Sequence, residues 1–488
     1  MRIFLSCLVL LICSNLLTGC LDEEFTTSSE HTLTFSADTV RFDTVFTTIS
    51  SSTTTLMVYN GNKKAINIES LRLKNAGQSG FRVNVDGMKG DYFEQIEISR
   101  KDSLYIFVEV TVDPTGVDEP VRREDILEFS YNGIRQQIIL EAYGQDAIMW
   151  RGKVINRDTV LTATKPFLIY DSLYIAPDQT LTLEAGTRLF MHDKARIIAD
   201  GTIIANGMLN NPVIFRGDRT DRLFHNLAYD QMAGQWGGIV FKTNSFGNKF
   251  AYTLVNGTSF GIQIDSTNTE LEKLRLENCI LKNSKKELIK ATRARIEGFN
   301  CEFSNAGSAL VNMQGGNYRF THCTFVNMYP FGVIDDAALH LSNYSRNEKG
   351  EVVALPLERA DFNNCIIWGN RSVEVNIDSY QLAGNDPAPF EHRFDHCLIK
   401  ARGEDDENFI NTVWDEDPLF NQTDSKNYRF NFNLTADSPA RKKGNPIYGV
   451  EFPTDLNGTP RGEDNPDLGA YQALIGPFLT TVSKNASR

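Results

Sequence analysis

Apolar and polar residues alternate with a period of two through most of this chain, in short runs broken by Gly, Pro, Asn and Asp. Between Leu276 and Asn370 the alternation becomes a recurring phrase. It reads Leu276-Glu-Asn278-Cys279-Ile280-Leu, then Gly298-Phe-Asn300-Cys301-Glu-Phe303, then Phe320-Thr-His322-Cys323-Thr-Phe325, then Phe362-Asn-Asn364-Cys365-Ile-Ile367. A fifth copy is Phe394-Asp-His396-Cys397-Leu-Ile399. The cysteines are spaced by 22, 22, 42 and 32 residues. A fixed period of about 20–50 residues marks a repeat architecture. The alternation within each copy is that of a strand, and nothing helical separates the copies. One strand-rich coil per period, stacked on the next, predicts a parallel β-helix. The 42-residue step reads as two coils or as one coil with an insertion, and the 32-residue step as one coil plus a loop.

Stacked coils place equivalent residues in ladders about 4.8 Å apart. Cys279, Cys301, Cys323, Cys365 and Cys397 are then an inward ladder, since Cys is a small and often buried apolar residue. The Asn or His before each Cys falls where the strand turns, and Asn tolerates the left-handed conformation of such a corner. Ladder cysteines lie one coil apart, within bonding distance of one another. Because their side chains point in parallel, buried free thiols are favoured over disulfides.

The chain opens with a targeting segment, residues 1–19. Arg2 is followed by the apolar run from Ile3 to Ile12, too short to span a membrane. Leu17-Thr18-Gly19-Cys20 resembles the lipobox of bacterial lipoproteins, which implies that Cys20 is acylated and anchors the protein. The acidic residues Asp22, Glu23 and Glu24 resemble a surface-export signal of some Gram-negative lipoproteins. The expected location is therefore the outer membrane, at the cell surface, with the periplasmic leaflet as the alternative. Residues 20–31 read as a flexible tether, rich in Thr and Ser from Phe25 to Glu30.

Residues 32–147 show short alternating runs, such as Leu104-Tyr-Ile-Phe-Val-Glu-Val110, separated by turn signals such as Asn132-Gly133. This spacing predicts an all-β sandwich. Phe42-Asp43-Thr44-Val45, Val58-Tyr-Asn60-Gly61-Asn62 and the segment from Val112 to Gly116 are similar to immunoglobulin-like domains of the abnormal-spindle and hydin type. Residues 148–412 are assigned to the β-helix, with Ile148 to Lys165 read as a connector. Leu173-Tyr-Ile-Ala-Pro177, Gly201-Thr-Ile-Ile-Ala205 and Gln235-Trp236-Gly-Gly238 resemble the first turns of pectate-lyase-like right-handed parallel β-helices. Residues 413–488 carry Asp417-Pro-Leu-Phe420, Asp437-Ser-Pro-Ala440 and Asp467-Leu-Gly-Ala-Tyr471. These resemble the C-terminal part of the choice-of-anchor Q family and are expected to cap the last coil. The expected fold class is all-β: an immunoglobulin-like sandwich, then a right-handed parallel β-helix with a C-terminal cap.

The formal net charge of −13 argues against nucleic acid as a partner. No His-Glu-x-x-His, Cys-x-x-Cys or Gly-x-Ser-x-Gly phrase occurs. Polygalacturonase-like β-helices offer one comparison, through Ile334-Asp335-Asp336, and pectate lyases another, through Pro356-Leu-Glu-Arg359. Asp335, Asp336 and Arg359 are thus the catalytic candidates, although neighbouring strand residues would face opposite sides. The acidic runs from Glu404 to Glu407 and from Asp415 to Asp417 are weak calcium candidates, lacking the alternating ligand spacing of a calcium loop; no other cofactor is expected. Two function classes remain. One is a non-catalytic surface protein that binds glycan or protein, as an adhesin or structural element. The other is a carbohydrate-active enzyme, a polysaccharide lyase or glycoside hydrolase.

The anchoring assignment yields the first prediction. Cys20→Ala should release the protein from membranes, because no other apolar stretch is long enough to hold it. A mutant that stays in the membrane pellet after a high-salt wash would contradict lipidation at Cys20.

Overall fold

The computed structural model describes residues 23–347, 349–381, 388–462 and 464–473. Cys20 and Asp22 lie outside the described residues. The protein is all-β, with 51% of residues in strands and 2% helical. Two compact units divide between Asp146 and Ala147.

In the first unit, two five-stranded sheets share one core. One sheet runs Thr34–Phe35, Thr54–Tyr59, Ser103–Val110, Phe81–Val85 and Met88–Gly90. The other runs Thr39–Phe46, Ile134–Gln145, Val121–Tyr131, Ile66–Leu73 and Tyr92–Ile98. Period-two alternation supplies the core directly: Leu104, Ile106, Val108 and Val110 are buried from one strand, as the pleat requires. Residues 24–26 of the expected flexible tether are instead laid beside Ala65. The amide of Thr26 donates to the Ala65 carbonyl at 2.9 Å, and that of Ala65 to the Glu24 carbonyl at 3.0 Å. The Glu23 carboxylate accepts from Ser99 Oγ at 2.7 Å and from the Arg100 amide at 3.1 Å. Backbone pairing and these carboxylate contacts fix residues that composition alone marked as loose.

The second unit is dominated by a parallel sheet of 26 strands, consistent with a parallel β-helix. Successive coils contribute strands to three flanks. Val213–Gly217, Thr253–Asn256, Ile280–Ser284, Glu302–Ala306, Thr324–Asn327, Ile366–Gly369 and Leu398–Ile399 follow one another on the first flank. The second flank includes Gly238–Phe241, Ile262–Ile264, Leu339–Ser342 and Val375–Asp378. The third includes Asn248–Ala251, Leu274–Glu277, Leu357–Asn363 and Arg393–Asp395. The long strands Ile289–Phe299 and Val311–Thr321 turn from the second flank to the third.

Equivalent residues stack as the repeat demands. Cys279, Cys301, Cys323, Cys365 and Cys397 are all buried free thiols. Beside them, Phe320 stacks on Phe362 at 5.5 Å, Phe362 on Phe394 at 4.8 Å, and Phe394 on Phe409 at 4.8 Å. The preceding corner is left-handed in every copy: φ is +54° at Asn278, +52° at Asn300, His322 and Asn364, and +53° at His396. Phe320 pairs directly with Phe362, and Phe362 with Phe394. Both long steps are therefore single coils with insertions. The 42-residue step holds the antiparallel pair Tyr344–Arg346 and Val352–Ala354.

Two expectations are corrected. Ile148 to Lys165 is not a connector: Ile148–Ile155 and Thr159–Leu161 pair in parallel with Phe167–Ile175 and Thr180–Leu183, so they form the first coil. The C-terminal segment, in turn, is not confined to the last coil. It lies along the first flank, where Phe432, Leu434, Leu456, Leu468 and Tyr471 pack against Val326, Ile366, Trp368 and Leu398. Tyr471 hydrogen-bonds Glu302, the Ala470 amide donates to Thr324 Oγ1 at 2.9 Å, and Arg461 donates to Asn300 Oδ1 at 2.7 Å. The reason is the sequence of that flank. Its outward positions in successive coils are Thr324, Ile366 and Leu398, beside Val326 and Trp368, an apolar surface that water would otherwise meet.

The Phe ladder explains one glycine. A Cβ on Gly298 would lie 2.5 Å from Cδ1 of Phe320, in the ring stack. Gly298→Ala should cost about 1–3 kcal/mol by overpacking. Gly332→Ala, with nothing within 4 Å, should be close to neutral. Equal melting temperatures for the two variants would show the coil register to be wrong.

Candidate functional site

The three flanks differ in what their outward side chains can still do. On the first flank they are covered, as above. On the third, one register column reads Lys249, Arg275, Glu297, Arg319, Asp361 and Arg393. These charges are paired with one another and with the adjoining columns. Glu297 takes ion pairs from Arg275 at 2.9 Å, Arg295 at 2.9 Å and Arg319 at 3.2 Å. Burial opposes its charge, but Arg295 and Arg319 outweigh that and hold its carboxyl below the ordinary value. The guanidinium groups of Arg275 and Arg319 also lie 4.6 and 4.7 Å from the Phe299 ring centre. Phe452 of the C-terminal segment stacks on that ring at 4.4 Å.

The second flank is different. Its outward column reads Gln263, Lys290, Asn312, His340 and Asn376, and the next reads Thr292, Gln314, Ser342 and Asp378. Amides and hydroxyls dominate, spaced by the strand separation. Asn312 Oδ1 is buried and meets no donor among the described residues. At the end nearest the insertion, Tyr344 donates to Asp378 and its ring lies 5.5 Å from that of Tyr380.

Asp336, His340 and Asn376 form one cluster on this flank. The Asp336 carboxylate hydrogen-bonds His340 Nδ1, and Asn376 Nδ2 donates to Asp336 Oδ1 at 3.2 Å. Burial pulls the His340 imidazole down. The hydrogen bond and charge of Asp336, with the charges of Asp378 and Glu287, outweigh burial and hold it above its ordinary value. For Asp336 burial pushes up, and His340 wins in holding the carboxyl low. Nearby, Glu374 is fully buried, accepts from the amides of Ala338 and Arg371 at 2.8 Å each, and is pushed up by burial.

The three sequence candidates do not converge. Asp335 and Asp336 sit in the loop before Leu339–Ser342 rather than on a strand. Asp335 is exposed and pairs with Lys286 at 3.4 Å, away from Asp336's partners. Arg359 belongs to the third flank and is bound to Asp361. His340, Asn376, Asn312 and Lys290 were missed. Lys290 and Asn312 are 22 residues apart and share a column, so the repeat step finds that pair. Insertions then break the step before His340 and Asn376. Of the acidic runs, Asp405 accepts from Trp414 Nε1 at 3.1 Å and Asp406 from the Phe409 amide at 2.9 Å. Asp415 pairs with Lys400 at 3.4 Å. Among the described residues, no group of three or more His, Cys, Asp or Glu is placed to hold a metal ion.

No family model matches the chain, and no curated protein matches it. Among solved structures it is similar to the ASH / PapD-like domain of human CEP192, at 10% identity over 25% of this chain and 87% of that one, with a TM-score of 0.17. It is also similar to a family 123 glycoside hydrolase from Clostridium perfringens, at 6% identity over 23% of this chain and 26% of that one, with a TM-score of 0.17. Likenesses at that score carry no assignment of fold or function.

The cluster predicts a titration. His340 should titrate above the ordinary value of about 6.5, read by NMR of its ring protons, and Asp336→Asn should lower it, because the largest contributions that oppose burial are then removed. A raised folded-state value means that the pair's stabilising contribution is complete below the unfolded value and is lost as pH rises through the folded one. An Asp336→Asn variant with an unchanged His340 titration would contradict the pairing.

Proposed function

We propose that this protein is a lipid-anchored outer-membrane protein, displayed at the cell surface through Cys20, that binds a glycan or protein chain along the second flank of its β-helix. In this reading the coil is right-handed, like the pectate-lyase-like helices its phrases resemble. The first unit is an immunoglobulin-like spacer, and the C-terminal segment belongs with the choice-of-anchor Q pattern. The observation that carries the binding role is the column Gln263, Lys290, Asn312, His340 and Asn376 with its neighbour Thr292, Gln314, Ser342 and Asp378. An extended polymer presents hydrogen-bonding groups at regular intervals, and a stack of amides at strand spacing can meet them in succession. The other two flanks have less to offer, one being covered and the other saturated by its own ion pairs.

A second reading, a polysaccharide lyase or glycoside hydrolase, has one observation in its favour. The hydrogen-bonded Asp336 and His340 form a carboxylate–imidazole pair of the kind that moves protons in general acid–base catalysis.

The test is a screen of the ectodomain against acidic and neutral polysaccharides, reading retention together with release of unsaturated or reducing ends. Retention without release, weakened at least tenfold by Lys290→Ala/Gln314→Ala at unchanged melting temperature, is the expected result. Release of ends that disappears in Asp336→Asn would replace binding with catalysis. Retention indifferent to the double variant would remove the second flank from consideration.

A further inference from the structure

The first unit carries a feature that its core does not need. On the sheet containing Ser103–Val110, the outward positions include Tyr105 and Phe107, with Met57 and Tyr59 on the neighbouring strand. Met57 is the direct partner of Tyr105, and Thr55 of Phe107. Tyr105 is 53% exposed, Phe107 39% and Tyr59 39%. The rings of Tyr105 and Phe107 lie 6.5 Å apart and within 19° of parallel. On the far side, Asn84 faces Phe107 and Arg82 faces Glu109. The Arg82–Glu109 ion pair at 3.6 Å closes one end, and the Asn84 Oδ1 meets no donor among the described residues.

Isolated exposed apolar residues need no explanation, whereas a contiguous exposed group does. Cross-strand aromatic contacts strengthen a sheet by about 0.2–1 kcal/mol, but buried aliphatic residues already fill the other face of these strands. The strip is one or two side chains wide and bordered by Thr55, Asn84, Arg82 and Glu109. Its four apolar side chains are far fewer than the roughly 20–30 residues a side that a stable protein interface uses. Its chemistry is that of exposed aromatic rings beside amide, hydroxyl and charged groups. The complementary ligand is a pyranose ring, whose C–H face is apolar and slightly positive and whose rim is hydroxylated. The C–H face meets the negative face of the aromatic ring, and the rim hydroxyls meet the polar border.

We propose that Tyr59, Met57, Tyr105 and Phe107 form a platform on which a neutral polysaccharide stacks. This is a second site, argued independently of the second flank of the β-helix. It makes the first unit a carbohydrate-binding module in addition to a spacer.

Native affinity electrophoresis tests this, in gels cast with mixed-linkage β-glucan, arabinoxylan or glycogen, on the ectodomain carrying Lys290→Ala/Gln314→Ala so that the second flank is disabled. At least one polymer should retard the protein. Tyr105→Ala/Phe107→Ala should abolish that retardation at unchanged melting temperature, Phe107→Trp should preserve it, and Tyr105→Ala alone should weaken it. The retardation that remains in this background belongs to the first unit and not to the second flank. Absence of retardation in all three gels would overturn the proposal. So would retardation that survives the double aromatic variant in this background. A concentration-dependent dimer in sedimentation, dissolved by Tyr105→Ala/Phe107→Ala, would assign the strip to a second copy of the chain and equally overturn it.

Discussion

The left-handed corner before each ladder cysteine is the constraint on which the second unit depends. At Asn278, Asn300, His322, Asn364 and His396 the chain takes φ near +52°, a conformation that most residues with a side chain avoid. Repeating it at the same place in each cysteine-bearing coil brings the following strand back into register. That register stacks Cys on Cys and Phe on Phe, and pairs the backbone of each coil with the next. The corner residues also bond one another: Asn300 Nδ2 donates to Asn278 Oδ1 at 3.2 Å, and Asn364 Nδ2 lies 3.2 Å from His322 Nε2. These bonds offset part of the cost of burying Asn300, Asn364 and His322, although His322 Nδ1 meets no partner among the described residues.

The same register distributes function. With one strand per flank in each coil, outward residues on each flank form columns. One column is apolar and draws the C-terminal segment onto it. Another is a column of charges paired within itself and with its neighbours, through Glu277, Glu297, Asp361 and Asp395. The column of amides and His340 retains unspent hydrogen-bonding capacity. The insertion after Ser342 places Tyr344 and Tyr380 at the margin of that column, giving the site a partial wall.

Much of the fold was legible because the signals were local and repeated. Alternation identified strands in both units, and the 22-residue step between Cys279, Cys301 and Cys323 identified the coil. Where the step broke, sequence could not choose between an extra coil and an insertion; the direct pairing of Phe320 with Phe362 resolves it. The course of the C-terminal segment was not legible, because the apolar stripe of Ile366, Trp368 and Leu398 emerges only when distant residues are stacked. The site was legible only in fragments. Asp336 was singled out for its neighbour Asp335, yet its partners are His340 and Asn376, which the sequence separates by insertions of irregular length. Arg359 was chosen from a phrase, and its guanidinium is bound to Asp361.

The most direct measurement of the account is thiol accessibility in a soluble chain that begins after Cys20. Its five cysteines are buried and unbonded, one above another in successive coils. The account predicts that, without reductant, none reacts with a thiol reagent in the native protein and all five react after denaturation. Rapid labelling of any ladder cysteine in the native state, or fewer than five reactive thiols in the denatured one, would contradict the stacked register.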